Sequence, residues 1–315
     1  MSVAWLCPGQ GAQTPGFLQR LPEDPEIART LDEAATTLGA HAPGLGLDSA
    51  DALRSTVAVQ LATVVAGVAV GRALVARGAA PDAVAGLSVG AYTAAVLSGA
   101  LELPAALRTV RIRARLMEGA YPRGYGLAAV VGLGERAVAA LVSEVARGGA
   151  PVYLANLNAP AQFVLAGSDA GLDLALERAL AAGARKAERM AVAVPSHCEL
   201  LRSVGDALAV ALREVPLARP HLAYVTNQRA RRTFEPEEIR EDLARNVQYP
   251  VRWSDATAVL YEGGARLFVE VLPGRVLTGL AEAAFPEARA VAAEETRLET
   301  ITVLTTRERR LDESR

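Results

Sequence analysis

Residues 83–96 constrain this chain more than any other segment. They read Ala-Val-Ala-Gly-Leu-Ser-Val-Gly-Ala-Tyr-Thr-Ala-Ala-Val: an apolar run, a Gly-x-Ser-x-Gly core at Gly86, Ser88 and Gly90, then small residues suited to a helix. A strand that stops at Gly86 and a helix that starts at once leave room for only a tight turn, and the flanking glycines tolerate the close backbone approach it demands. The pattern predicts a nucleophile elbow. Such a turn exposes the Ser88 hydroxyl and aims the first N–H groups of the helix at whatever it attacks. The same five residues can also form a plain glycine-rich turn with a solvated serine, so their meaning depends on partners elsewhere in the chain.

One histidine has the right surroundings. Of the three, His41 lies in a Pro/Gly-rich stretch and His221 follows Pro220 at a strand entry. His197 follows an apolar run ending in Val194-Pro195-Ser196; Ser196 is expected to cap the next helix and His197 to sit in its first turn, leaning over an adjoining site. A lone histidine in such a place is ordinarily a half-buried helix-start residue, and it is Ser88 that gives it a second meaning. The N-terminus adds a third feature, a short apolar strand breaking into the glycine-rich turn Pro8-Gly9-Gln10-Gly11-Ala12-Gln13.

Taken in order, Pro8-Gly9-Gln10-Gly11-Ala12-Gln13, Gly86-Leu87-Ser88-Val89-Gly90, Val194-Pro195-Ser196-His197-Cys198 and the run from Val271-Leu272-Pro273-Gly274 to Gly279-Leu280 resemble the malonyl-CoA:acyl carrier protein transacylases. The resemblance spans nearly the whole chain. Within that family, residues 88–96 and 120–130 are most similar to the epsilon subunit of malonate decarboxylase.

This resemblance implies a Ser88–His197 dyad that moves a malonyl group from malonyl-CoA, through a malonyl-serine ester, to the phosphopantetheine thiol of an acyl carrier protein. No bound cofactor is implied. The malonate decarboxylase carrier subunit is the expected partner, with the general carrier of fatty-acid synthesis as the alternative. The backbone N–H groups of Gln10 and Val89 would hold the oxyanion. Arg113, with Met117 four residues on, matches the arginine that binds the malonyl carboxylate; Ala114 stands where the family usually has glycine. Asn156 and Asn158 match a segment lining the cleft. The family's histidine is oriented by a backbone carbonyl, and the matching position is expected at Arg252. Leu87 departs from the pattern, since the family usually has histidine before the nucleophile.

Composition suits a soluble enzyme of one large core or two unequal domains: 315 residues, 51% hydrophobic and 22% charged. A net charge of −2 offers no field for nucleic acid. Cys7 and Cys198 are expected as buried thiols, with no disulfide framework, and no spacing of His, Cys and acids suggests a metal site. Residues 57–71 form the most hydrophobic stretch, yet Arg54 and Arg72 bound it and it falls short of the roughly 20 residues a membrane span needs. A buried helix is expected there, and with no basic-then-apolar leader the cytoplasm is the expected location.

Hydrophobic periodicity predicts strands near 2–6, 82–86, 222–225 and 267–271, with helices near 53–77, 89–99, 104–118, 197–213, 253–262 and 275–284. That alternation implies an α/β fold with a mostly parallel sheet flanked by helices. Residues 124–193 have their own βαββαβ rhythm, expected as an inserted ferredoxin-like α+β subdomain facing Ser88 across a cleft. The large acyltransferase domain is then 1–123 and 194–305, and 306–315 is expected to be a charged, frayed tail.

Arg108, Arg111, Arg113 and Arg115 share one predicted helix but point to different faces, so most are solvated cations. Two other functions share some of these features. An α/β-hydrolase normally has its acid between serine and histidine and its histidine near the C-terminus; His197 is poorly placed for that, and Asp169 and Asp173, though they lie between, fall in a helix of the inserted domain where solvated side chains are expected. A non-catalytic carrier-docking subunit has no need of Ser88, Arg113 and His197 together.

Overall fold

The computed structural model describes residues 2–121, 123–192 and 194–313. Pro122 and Ala193, at the edges of the expected small domain, and the last two residues of the expected tail lie outside the described residues.

The chain opens with strand β1 (Val3–Cys7), helices α1 (Pro25–Leu38) and α2 (Thr56–Ala76), then β2 (Ala83–Gly86), α3 (Gly90–Leu97) and α4 (Leu103–Ala120). A βαββαβ segment follows: β3 (Tyr125–Val131), α5 (Glu135–Arg147), β4 (Val152–Ala159), β5 (Gln162–Ser168), α6 (Asp169–Ala181) and β6 (Lys186–Arg189). The remainder comprises α7 (Arg202–Leu212), β7 (Ala223–Val225), β8 (Arg232–Thr233), α8 (Pro236–Arg245), α9 (Trp253–Glu262), β9 (Leu267–Glu270), α10 (Val276–Ala284), β10 (Arg289–Ala292) and α11 (Leu298–Glu313).

Six strands form the large sheet, in the order β10-β9-β1-β2-β7-β8. All its pairings are parallel except β7 with β8. Crossover helices cover both faces, so its central strand is apolar on both sides. Val3, Trp5 and Cys7 of β1 enter one core, beneath α2, α3 and α4, while Ala4 and Leu6 enter the other, beneath α9 and α10. Helix α2 is long and apolar enough to cross a membrane, yet it is the core helix of this body, with 89% of its most apolar stretch buried.

The second sheet has the order β4-β5-β3-β6 and is antiparallel throughout. Counted within the segment this is the ferredoxin-like arrangement, with its first and third strands central. One face, including Ala128, Val130, Phe163 and Leu165, packs with Val138, Leu141 and Leu172 of α5 and α6. The other turns Leu127, Val164 and Ala166 toward Cys198 and Met190.

Three features correct the expectations. The segment read as a frayed tail is mostly helix: α11 runs to Glu313, held by Leu298, Ile301 and Thr305, which are at most 3% exposed. The helix expected from 197 begins only at Arg202, after a short 3-10 turn over Glu199–Leu201, so Ser196 caps nothing and His197 precedes the helix. Its φ of +62° cannot be part of a right-handed helix. Helices α1 and α8 and the edge strands β8 and β10 were not predicted.

Candidate active site

Ser88 sits between β2 and α3 with φ +58°, a left-handed conformation that costs an L-residue roughly 1–2 kcal/mol. The turn closes only with glycine beside it. A Cβ on Gly86 would lie 2.1 Å from the Gly90 carbonyl oxygen, and one on Gly90 would lie 2.1 Å from that of Cys7. The β1 loop therefore packs directly on the elbow, and Gln10, Ser88 and His197 line one cleft of about 240 Å³ between the two sheets.

Three distant segments meet there. His197 Nε2 is 2.8 Å from Ser88 Oγ, and its Nδ1 is 2.6 Å from the carbonyl oxygen of Asn246. A carbonyl can only accept, so Nδ1 carries the proton and Nε2 offers its lone pair to the serine hydroxyl, the tautomer a general base requires. The His197 N–H donates to the Val247 carbonyl at 2.7 Å, fixing the ring from behind. Burial lowers the His197 pKa to about 4, with the nearby Arg113 charge acting in the same direction and backbone hydrogen bonds at Asn246 and Tyr249 opposing them. The imidazole is neutral at physiological pH.

Arg113, on α4, is fully buried. Its Nη1 donates to Gln60 Oε1 at 2.6 Å, while Nη2 donates to Ser88 Oγ at 3.1 Å and to Asn246 Oδ1 at 3.4 Å. Every one of these partners is uncharged, and Nε has no protein partner. Burial lowers the guanidinium pKa to about 10, which leaves it a cation at neutral pH. A desolvated positive charge with no carboxylate beside it among the described residues is costly unless an anion arrives to pair with it. Gln60 orients it, a lone amide on the apolar helix α2 that is only 1% exposed.

Other candidates fall into place unevenly. Asn156 and Asn158 line the cleft from β4, where irregular pairing with β5 spans both. Asn158 Oδ1 is buried without a protein partner. Gln10 lines the opposite wall, Val89 follows Ser88 at the start of α3, and Leu87 adds an apolar side chain.

Arg252 does not orient the histidine. The carbonyl at Nδ1 is that of Asn246, six residues earlier, while the Arg252 N–H is taken by the Asn227 carbonyl and its side chain pairs with Asp255. Asp169 and Asp173 pair with Arg189 and are half or more exposed, so they supply no triad acid. Cys198 is also inert as a nucleophile, since burial pushes its thiol up to about 12.

Asn246 is the residue that sequence reasoning missed outright. Besides its carbonyl, its Nδ2 donates to the Ser88 carbonyl at 3.3 Å, so it touches Ser88, His197 and Arg113 together. Gln60 did leave a signal, as the amide that interrupts an otherwise apolar run.

A serine hydroxyl on a tight strand-to-helix turn, a neutral imidazole with its lone pair toward it and a helix start beside both form an arrangement suited to acyl transfer. The chain belongs to the acyl transferase domain family, which matches it over residues 4–310, and it is an acyltransferase. It is 34% identical to the malonyl CoA-acyl carrier protein transacylase of Haemophilus influenzae, over 92% of this chain and 94% of that one. It is 35% identical to the transacylase of the same name from Bacillus subtilis, over 88% and 89%. Among solved structures, a malonyl-transacylase in complex with a type II PKS acyl-carrier protein superposes with a TM-score of 0.91 at 34% identity, covering 96% of this chain and all of that one. The acyl-carrier-protein S-malonyltransferase of Burkholderia pseudomallei gives 0.90 at 34% identity, covering 97% and 100%.

Proposed function

We propose that the enzyme transfers malonyl from malonyl-CoA to the phosphopantetheine thiol of an acyl carrier protein. The observation that carries this reading is the buried, counter-ion-free Arg113, whose Nη2 lies 3.1 Å from the nucleophile. In malonyl-CoA a single methylene separates the free carboxylate from the thioester carbonyl, so a carboxylate on Arg113 sets that carbonyl beside Ser88 Oγ. Longer diacids overshoot and acetyl leaves the cation unpaired.

His197 Nε2 takes the proton of Ser88 as Oγ attacks, and the tetrahedral oxyanion is held by the N–H groups of Val89 and Gln10. Collapse expels CoA thiolate, which takes the proton from His197, and leaves the malonyl-serine ester. The carrier thiol, deprotonated by His197, then attacks that ester; its collapse returns the proton to Ser88 and releases malonyl-carrier. Asn156 and Asn158 lie where they can hydrogen-bond the acyl or pantetheine amide groups. The N-terminal and C-terminal segments form the transferase body in this scheme, and residues 124–193 the subdomain closing over the acyl group.

The relatives' names speak of an acyl carrier protein, which supports a general carrier as acceptor over the malonate decarboxylase carrier, whose support is confined to local likeness in residues 88–96 and 120–130. Intact mass after mixing with malonyl-CoA tests the reaction: a malonyl adduct that is absent in Ser88→Ala supports it. Rapid CoA release with no adduct points to a hydrolase, and an unchanged mass to a docking subunit. Competition between the two carriers then settles the acceptor.

A further inference from the structure

Two asparagines hold the backbone of the nucleophile. The Ser88 N–H donates to Asn227 Oδ1 at 2.9 Å, and its carbonyl accepts from Asn246 Nδ2 at 3.3 Å. Asn227 is fixed in turn by Asp242, a carboxylate only 7% exposed on α8. Asp242 Oδ1 accepts from the Asn227 backbone N–H at 2.8 Å, and its Oδ2 accepts from Asn227 Nδ2 at 3.1 Å and from the Tyr224 hydroxyl at 2.7 Å.

An amide can be turned end for end, and the carboxylate decides which way this one faces. A carboxylate only accepts, so it claims Nδ2 and leaves Oδ1 toward the Ser88 N–H. Reversed, the amide would set a donor against the Ser88 N–H and an acceptor against the carboxylate. Asp242 and Asn246 are also one helical turn apart. A single turn at the end of α8 therefore reaches the N-terminal side of Ser88 through Asn227, its carbonyl through Asn246, and His197 Nδ1 through the Asn246 carbonyl.

We infer that Asp242 is a positioning residue for the nucleophile. Acting through the Asn227 amide, it locks the left-handed Ser88 peptide and so keeps Oγ at hydrogen-bonding distance from His197. Neither Asp242 nor Asn227 lines the cleft, so the network acts on the reacting geometry and leaves substrate binding alone. The malonyl assignment enters only through the choice of substrate, and a fluorophosphonate, which labels an activated serine directly, tests the network without it.

In Asn227→Leu, which keeps volume but removes the acceptor, both fluorophosphonate labelling and kcat for malonyl-serine formation should fall roughly 10- to 100-fold, as expected for a nucleophile displaced by up to about 1 Å. KM for malonyl-CoA should stay within about threefold, because uniform binding is untouched. Asp242→Asn should slow labelling similarly. The exchanged pair, Asp242→Asn with Asn227→Asp, should recover part of the rate, since a carboxylate then accepts from the Ser88 N–H and the new amide supplies the opposing donor. If Asn227→Leu does not fold, the exchanged pair against Asp242→Asn decides alone. Labelling at the wild-type rate in the single variants, or no recovery in the exchanged pair, overturns the inference. Fluorophosphonate labelling of a wild-type protein that malonyl-CoA leaves unmodified would instead sink the malonyl assignment by itself.

Discussion

The two sheets divide the work of the cleft. The parallel sheet and its helices supply the hydrogen-bonded cluster around Ser88: His197, Arg113 and, behind them, Gln60 and Asn246. The antiparallel sheet and the segment that follows β6 supply an apolar wall, with Leu127, Ala129, Val164, Met190 and Val192 interrupted by Asn156, Asn158 and Gln162. The reason lies in packing. Strands β1, β2 and β9 are buried along their whole length, whereas β6 of the small sheet is mostly exposed. An unfavourable backbone conformation and an unpaired buried cation persist only where the surroundings over-determine them. The large body can hold them, and the small sheet is left to set shape.

Arg113→Ala should show the largest effect on this division. Truncating one side of a buried charge pair costs about 2–5 kcal/mol, so kcat/KM for malonyl-CoA should fall roughly 30- to several-thousand-fold while acetyl transfer holds or rises. Arg115, exposed on another side of α4, is the control, and Arg115→Ala should stay within about twofold. Equal losses for malonyl and acetyl would make Arg113 a scaffold residue and break the comparison.

The pH dependence comes next. With the His197 pKa at about 4, single-turnover acylation should be level from neutral pH down to about 5 and fall about tenfold per unit below 4. The unfolded chain binds this proton at about 6.5 and the folded chain only near 4, so between those values the unfolded state holds more protons and stability declines as pH falls. Arg113→Ala removes a like charge and should move the acid limb upward. An acid limb at the ordinary histidine value in the wild-type enzyme would show that burial in the body does not set the base. His197→Ala should slow both half-reactions, since in the proposed reaction one base serves CoA and the carrier thiol.

The smallest effect is expected from the wall. Val164→Ala removes two methyl groups from the wall and should shift the preference for methylmalonyl-CoA over malonyl-CoA by about tenfold, with malonyl kcat within about twofold. A collapse of malonyl kcat in this variant, read by steady-state kinetics, would mean that the small sheet holds the chemistry too.

The sequence displayed what is local. Strands of the parallel sheet and the βαββαβ order announce themselves through period, and Ser88, Arg113 and His197 through short motifs. Helix α8 buries only Ile239, Leu243 and Ala244 among its apolar residues, too few to mark a face. Helix α1 did carry a readable start, since Asp24 precedes Pro25 and its Oδ1 caps the N–H groups of Glu26 and Ile27. Asn227 and Asn246 approach Ser88 from 139 and 158 residues away, and nothing local distinguishes them from ordinary loop asparagines. The carbonyl that orients His197 has no side-chain signature at all, which is why the expectation settled on Arg252 instead of Asn246.

Ser88 and His197 share a backbone conformation that glycine adopts freely and other residues resist. These two positions are therefore where heritable variation can improve the fold by abandoning the reaction. A population screened only for folded, abundant protein should drift toward glycine at both, and one screened for turnover should purge it. Ser88 and His197 mark the places where the proposed chemistry and a more relaxed chain pull in opposite directions.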